Sequence, residues 1–433
     1  MIMKYYQKKL ECLDRKALKA LQDEKLVKEI QHVWDHVPYY RKKMEAAGVD
    51  PSMIKGTEDL HLLPFTTKDD LREAYPDGLL AISKDNCVRL HSTSGTTGKR
   101  VLVYYSGNDV KLWNDCCARA LCAAGANKKD ICQIAYGYGL FTGGFGIHGG
   151  AEKLGCLTIP MSSGNTERQV MFMEDLETTV LCCTPSYAEY LAEVIEEKGA
   201  ADKLKLRIGI FGAEAWSEEM RRSLETRLHL KAYDIYGLTE LSGPGVAYEC
   251  SEQNGMHINE DHFAAEIVDP VTLEPLPVGK EGELVFTSLS KEAFPVIRYR
   301  TRDICELSEE TCSCGRTFRK MCRPRGRSDD MLIIKGVNVF PSQIETVLVE
   351  NGYTANYQLI VDRVNNSDTL TVLVEMTPDM FTDNLGGIHE MEKDLTVKIK
   401  DMTGIYAKVK LAAPRSMVRS EGKAVRVIDN RKL

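Results

Sequence analysis

The chain has 433 residues, too many for one ordinary hydrophobic core, so two or three domains are expected. Hydrophobic residues make up 43% and charged residues 27%, and the net charge is −7, which argues against a nucleic-acid backbone as partner. No apolar run is long enough to span a bilayer, and the stretch Met1-Ile2-Met3-Lys4-Tyr5-Tyr6-Gln7-Lys8-Lys9 lacks the apolar centre of a signal peptide. A cytosolic chain with its fourteen cysteines reduced, and no membrane partner, is therefore expected.

Residues 11–46 place apolar side chains at helical spacing and predict two helices interrupted at Pro38. Thr66 or Thr67 is expected to cap a further helix, with Asp69 and Asp70 in its first turn. From residue 107 to 230, helices alternate with short apolar strands. Residues 108–124 read as a helix, 130–135 as a strand, 179–183 as a strand, 185–198 as a helix and 207–211 as a strand. This alternation predicts a mainly parallel sheet covered by helices, with ligands at the carboxyl ends of its strands. Residues 263–268 and 282–287 alternate as β. Beyond a break near Arg325-Gly326-Arg327-Ser328-Asp329-Asp330, residues 331–433 predict a compact α+β unit with a hairpin over 357–375 and an amphipathic helix at about 388–402.

Between two β-like runs lies Ser92-Thr93-Ser94-Gly95-Thr96-Thr97-Gly98-Lys99, with four hydroxyls beyond Ser92, two glycines and a lysine. Glycines let successive backbone N–H groups turn inward as an anion cradle, hydroxyls add donors, and Lys99 adds a point charge. The loop is read as a binder of nucleotide phosphates. It is not a Walker A motif: Thr93 stands where the first glycine belongs, and Arg100 where Ser or Thr would hold magnesium.

Residues 233–245 read Tyr-Asp-Ile-Tyr-Gly-Leu-Thr-Glu-Leu-Ser-Gly-Pro-Gly. Tyr236 is suited to stack on a base, Thr239 to bond a phosphate, and Glu240 to hold magnesium through oxygen. Residues 298–303, Arg-Tyr-Arg-Thr-Arg-Asp, end in a carboxylate able to accept both hydroxyls of a ribose. Cys250, His257, Cys312 and Cys314 form an ordinary zinc set, with Gly315 after the close pair to suit a tight knuckle. With every position filled by protein, such a zinc would be structural.

Taken together and in order, these residues resemble the adenylate-forming superfamily, and within it the phenylacetate–CoA ligase family. The match rests on Ser94-Gly95-Thr96-Thr97-Gly98-Lys99, Tyr236-Gly237-Leu238-Thr239-Glu240, Tyr299-Arg300-Thr301-Arg302-Asp303, Gly326-Arg327-Ser328-Asp329-Asp330 with Lys335-Gly336-Val337-Asn338-Val339-Phe340-Pro341, and Arg419-Ser420-Glu421-Gly422-Lys423-Ala424. It implies an α/β fold: a large N-terminal domain, residues 1–326, with mixed, mainly parallel sheets, and a small mobile α+β domain, residues 327–433, hinged at about 326–330.

The resemblance also implies roles. Ser92, Thr93, Ser94, Gly95, Thr96, Thr97, Gly98 and Lys99 would hold the ATP phosphates. Gly212, Ala213 and Glu214 would border the adenine, with Tyr236 stacking on it and Asp234, Ile235 and Gly237 alongside. Thr239 would touch the α-phosphate, Glu240 the magnesium, Asp303 the ribose with Arg327 assisting, and Gly336 coenzyme A. Asp329 would be the hinge and Lys423 the lysine that promotes adenylation. Tyr136, Phe141, Ala213, Ile235 and Pro244 would suit a flat aryl acid, with His148 able to line the same cavity. Arg302 departs from the superfamily, which often has glycine before this aspartate.

The expected reaction is ATP-dependent aryl-acetate–CoA ligation through an acyl-AMP, with ATP, Mg²⁺, CoA and a structural Zn²⁺, in a homodimer by the family's precedent. Its rivals are an adenylating enzyme that passes the acyl group to a carrier protein or other nucleophile, and a nucleotide-binding protein without catalysis. Lys423 and Glu240 argue against the last.

Overall fold

The computed structural model describes residues 5–93, 100–328, 332–334, 337–364, 367–381, 385–419 and 424–431. Two compact units share the chain. One holds the residues up to Cys183, Lys203–Ala213 and Lys231–Arg323; the other holds Thr184–Asp202, Glu214–Leu230 and the residues from Pro324 on.

In the first unit, local signals act as expected. The Asp14 carboxylate accepts from the Ala17 N–H at 3.0 Å and caps the helix Arg15–His36. Pro38 opens the next helix, Pro38–Ala46, where its missing N–H costs no hydrogen bond. Thr67, not Thr66, caps Lys68–Glu73, and Asp70 returns the bond to the Thr67 N–H at 2.6 Å, completing a capping box. Thr66 is instead buried, its hydroxyl donating to the Ile297 carbonyl at 2.5 Å.

Strands β1 (Cys87–Ser92) and β2 (Leu102–Ser106) form an antiparallel hairpin in which Ser92 faces Leu102. Then come β3 (Ile131–Ile134), β4 (Leu157–Ile159), β5 (Val180–Cys183), β6 (Ile208–Gly212), β7 (Lys231–Leu238), β8 (Gly243–Glu249), β9 (Met256–Ile258), β10 (Phe263–Val268), β11 (Glu281–Ser288), β12 (Tyr299–Ser308) and β13 (Lys320–Met321). They lie in the order β10-β11-β12-β13-β9-β8-β7-β6-β5-β3-β4. From β7 to β4 every pairing is parallel, as the alternation over 107–230 predicts. From β7 to β10 every pairing is antiparallel, so the later β-rich stretch continues the same sheet. β5 and β6 are buried along their whole length, which is why they read as continuous apolar runs without alternation. Cys116, Cys117, Cys182 and Cys183 are buried in this core, packing as small hydrophobes.

The second unit carries the helices Pro185–Glu197 and Glu218–Leu228. Its strands are β14 (Gly326–Arg327), the antiparallel pair β15 (Leu332–Ile334) and β16 (Val337–Val339), and a sheet of β17 (Tyr357–Val364), β18 (Ser367–Glu375), β19 (Lys408–Ala412) and β20 (Val427–Asp429) in the order β19-β18-β17-β20. The helices Pro341–Glu350 and Leu385–Thr403 cover it through Ile344, Leu348, Leu395 and Ile399, against Leu359, Val361, Val372 and Val374. No helix among the described residues is long and apolar enough to cross a membrane.

Candidate active site

Several of the predicted site residues lie at or beside the carboxyl ends of the first unit's parallel strands, where an open α/β sheet leaves a crevice. β1 ends at Ser92, whose buried Oγ has no hydrogen-bond partner among the described residues. The Thr93 N–H donates to the Val101 carbonyl at 3.1 Å, and the Val101 N–H donates to Thr93 Oγ1 at 3.3 Å. These two bonds close the base of the predicted phosphate loop. Ser94, Gly95, Thr96, Thr97, Gly98 and Lys99 lie outside the described residues, as do Asp329, Gly336 and Lys423.

β6 and β7 bring Gly212 opposite Ile235. A Cβ on Gly212 would stand 2.2 Å from the Ile235 carbonyl oxygen, so only glycine permits this approach. Ala213 follows with φ +73°, a left-handed turn that ends the strand sharply. In the second unit, the Glu214 carboxylate accepts from the Ser186 N–H at 2.7 Å and from the Ala424 N–H at 3.1 Å. Arg327 is half-buried in β14 of that unit.

The Tyr236–Glu240 motif spans the end of β7 and its turn into β8. Its register shifts between Tyr236 and Gly237, and a Cβ on Gly237 would fall 1.8 Å from the Gly243 carbonyl oxygen. The Tyr236 hydroxyl donates to Asp303 Oδ2 at 2.5 Å, joining β7 to β12. Burial first, and then the Asp303 charge, push the Tyr236 hydroxyl far up, so it stays a donor. Thr239 Oγ1 lies 3.3 Å from Thr142 Oγ1. Glu240 is buried; its Oε1 accepts from the Tyr299 hydroxyl at 3.2 Å, and its other oxygen takes no hydrogen bond from the described residues. That free oxygen in a buried carboxylate fits a hard cation. Lys291 Nζ donates to the next carbonyl, Leu241, at 2.5 Å and lies 4.4 Å from the Tyr105 ring centre. Burial pushes the Lys291 ammonium down to about 8.

Asp234 is buried beneath the motif, accepting from Arg323 Nε at 2.9 Å. Arg302 has φ +68°. This left-handed turn explains why glycine suits the position. Tyr299, from the motif that ends in Asp303, joins them, and Thr142, Lys291 and Arg323 complete the site without any local signature in the sequence.

The acyl candidates occupy the same end of the sheet. Tyr136, just past β3, donates its hydroxyl to the Ile210 carbonyl at 3.4 Å. Ile235 is buried in β7, and Pro244 in β8 pairs with Gly237. Phe141 immediately precedes the helix Thr142–Leu154 and leaves 49% of its surface exposed. A large ring left open at this end of the sheet suits a substrate wall better than a core position. His148 bridges the Tyr138 hydroxyl at 3.1 Å and Glu152 at 3.1 Å, which accounts for both ring nitrogens.

Away from these strand ends, Cys250, His257, Cys312 and Cys314 converge, all buried, with their ligand atoms within 4.8 Å of one another. Cys250 follows β8, His257 lies in β9, and the cysteine pair sits in the connection from β12 to β13. The Cys250 and Cys312 sulfurs are 3.7 Å apart, and Cys314 Sγ is 3.4 Å from His257 Nε2. A regular tetrahedron with zinc–sulfur legs of about 2.3 Å has edges of about 3.8 Å, so the spacing fits a four-coordinate ion. His257 Nδ1 donates to the Phe318 carbonyl at 3.0 Å, which turns Nε2 toward the sulfurs. Gly315, at φ +87°, returns its N–H to the Cys312 carbonyl at 2.9 Å and makes the knuckle. The Cys314 thiol is drawn well down by its bond from Cys250, against burial and with help from His257, the direction that favours a metal-binding thiolate.

Comparison with known proteins accords with this geometry. The family model described as AMP-binding enzyme matches residues 11–290, and that described as AMP-binding enzyme C-terminal domain matches 336–431. The phenylacetate-coenzyme A ligase of Thermus thermophilus is 46% identical, covering 99% of this chain and 100% of its own. That of Escherichia coli K12 is 47% identical over 96% of this chain and 95% of its own. The crystal structure of 2-hydroxyisobutyryl-CoA ligase in the postadenylation state with 2-HIB-AMP superposes with a TM-score of 0.93 at 28% identity, covering 99% of this chain and 93% of that one. The chain therefore belongs to the phenylacetate-coenzyme A ligase family, AMP-forming acid–thiol ligases of the adenylate-forming superfamily.

Proposed function

We propose that this chain activates phenylacetate, or a closely related aryl-acetate, as its acyl-AMP and passes the acyl group to the thiol of free coenzyme A. The observation that carries this reading is the near full-length identity with relatives named phenylacetate-coenzyme A ligase, 46% to 48%. The half-exposed Phe141 and the buried Tyr136, both in the connection after β3, support a planar apolar acid.

A carboxylate is a poor electrophile. In the first half-reaction a carboxylate oxygen attacks the α-phosphorus and pyrophosphate leaves. Charge then concentrates on the phosphate oxygens, and the chain must offset it there. The loop of residues 92–99 would hold the phosphates, Thr239 the α-phosphate and Lys423 the developing charge. Glu240 would hold Mg²⁺, which supplies charge neutralisation at the phosphates. Asp303, already bonded to Tyr236, would accept the ribose hydroxyls, with Arg327 assisting. Gly212, Ala213, Glu214, Asp234, Ile235 and Gly237 would frame the adenine, with Tyr236 against its face. In the second half-reaction the CoA sulfur attacks the acyl carbonyl and AMP leaves. Asp329 would serve as the hinge between residues 1–326 and 327–433, and Gly336 would border CoA. A zinc ion held by Cys250, His257, Cys312 and Cys314 would be structural, because the protein fills all four positions.

A pyrophosphate-release screen over phenylacetate, indoleacetate, benzoate and short fatty acids, with thioester analysis in free CoA, tests the reading. Aryl-acetates should dominate and aryl-acetyl-CoA should accumulate. Equal activity on acetate and phenylacetate overturns the pocket assignment, and pyrophosphate release without a CoA thioester favours a carrier-protein acceptor.

A further inference from the structure

His91 lies one residue before Ser92, in the strand that leads into the phosphate loop, and only 1% of its surface is exposed. Its Nδ1 is 3.1 Å from the Leu140 carbonyl, so Nδ1 carries the proton. The Ser92 N–H donates to the same carbonyl at 2.9 Å. Leu140 immediately precedes Phe141, so two adjacent residues of β1 grip the peptide that presents the exposed ring.

The other face of the imidazole is apolar. Nε2 has no hydrogen-bond partner among the described residues. The rings of Tyr105, Trp113 and Phe145 stand 5.4, 5.5 and 5.6 Å away, the first two edge-on. Tyr105 and Trp113 stack on each other at 5.3 Å. Trp113 Nε1 donates to the Pro244 carbonyl at 2.9 Å, and the Tyr105 hydroxyl donates to the Thr239 carbonyl at 3.4 Å. Burial pushes the imidazole's affinity for a proton down, so it stays neutral and keeps this tautomer. A histidine kept only as core filler needs no fixed donor. This one spends its single proton on the segment that carries Phe141, and its cage touches both Pro244 and Thr239.

We infer that His91 is a positioning residue of the ligase: its Nδ1–H, donated to the Leu140 carbonyl, sets the Phe141 wall of the acid site against the end of β1 that begins the phosphate loop. The inference rests on the reading of Phe141 as part of the acid pocket.

Two near-isosteric variants separate the nitrogens. His91→Asn keeps an N–H at the Nδ1 position and loses Nε2. His91→Gln reaches the Nε2 position and loses the Nδ1 donor. His91→Gln should raise KM for phenylacetate about tenfold, the scale of one lost buried hydrogen bond, with KM for ATP unchanged. His91→Asn should retain the wild-type KM for the acid. Equal shifts in the two variants, or a parallel rise in KM for ATP, overturn the inference. Phe141→Ala, assayed beside them, separates the two readings. If it leaves KM for the acid unchanged, the pocket reading fails. If it raises that KM while His91→Gln does not, the role of His91 fails and the pocket stands. NMR of the unsubstituted chain with ¹⁵N-labelled histidine needs no variant to fold: His91 must show the Nδ1–H tautomer, and the Nε2–H tautomer contradicts the inference.

Discussion

The Cys/His cluster and the site at the strand ends belong to one unit and share strands β8 and β12, yet they are held in opposite ways. In the cluster four buried ligand atoms lie within 4.8 Å of one another, and the Phe318 carbonyl on His257 and the Arg316 N–H, 3.4 Å from Cys314 Sγ, hold two of them from outside. At the strand ends, Phe141 is half exposed, Ala213 and Arg302 hold left-handed backbone, and one Glu240 oxygen takes no hydrogen bond from the described residues. A structural ion asks for a closed set, complete before anything arrives. A reaction site leaves room and carries strain and unmet hydrogen-bonding capacity that only the substrates complete.

The comparison breaks most visibly at Lys423. Lys423→Ala should lower adenylation by about two to three orders of magnitude, the range for one preorganised charge-stabilising donor, measured as phenylacetate-dependent pyrophosphate release. The same variant given synthetic phenylacetyl-AMP and CoA should form thioester near the wild-type rate. Equal loss in both half-reactions would contradict a division of labour.

Next comes the cluster. Purified chain should hold about one zinc, and Cys314→Ser should lose it and cost on the order of 3 kcal/mol or more of stability, read by thermal denaturation. Adenylation in the folded fraction should persist. Lost chemistry at normal stability would make the metal catalytic and erase the contrast.

At the substrate wall the effect is smaller. Phe141→Ala should weaken binding of the acid about tenfold and leave ATP binding nearly intact, as KM values would report.

A pH dependence of stability comes from Glu29, a buried carboxylate bonded to the Lys291 backbone. Burial pushes Glu29 up from 4.5 to about 8, opposed by bonds from the Lys291 N–H and the Ser288 hydroxyl, each to Oε1, at 3.1 and 3.2 Å. The folded chain therefore holds a proton there that the unfolded chain has lost. The stabilisation is whole below the unfolded value and fades as pH rises toward about 8, a change of about 3 kcal/mol by neutrality. Lys291, pushed down to about 8, begins to lose its proton only at the upper end of that window. Thermal midpoints should fall from pH of about 5 to about 8, and Glu29→Gln should flatten the slope.

Much of this was legible from residues alone, for reasons that differ by region. The parallel strands show as apolar runs because both faces are covered, and Pro38, Asp14 and Thr67 mark helix ends through local backbone chemistry. Cys312 and Cys314, two apart before a glycine, show because a knuckle is local. What the sequence hides is register. Tyr236 with Asp303, Tyr299 with Glu240 and Arg323 with Asp234 are each bonded across more than 50 residues. Two register shifts, at Tyr236/Gly237 and between Glu283 and Val285, decide which side chains face the crevice. Neither leaves a pattern in the letters. Likewise, nothing in residues 262–306 tells that they extend the parallel sheet instead of forming their own. The roles at the strand ends came from the ordered motifs and their family resemblance, because a carboxylate or threonine carries no label of what it will bind.

In the proposed reaction the carboxylate of an aryl acid attacks the α-phosphorus of ATP before the thiol takes the acyl group. Phenylacetate labelled with ¹⁸O in both carboxylate oxygens, turned over with ATP and CoA, tests it in one mass spectrum. One labelled oxygen should appear in the phosphate of AMP, with unlabelled pyrophosphate and phenylacetyl-CoA keeping the other. Label in inorganic phosphate beside ADP, or AMP without label, would contradict the acyl-AMP and with it the account of this site.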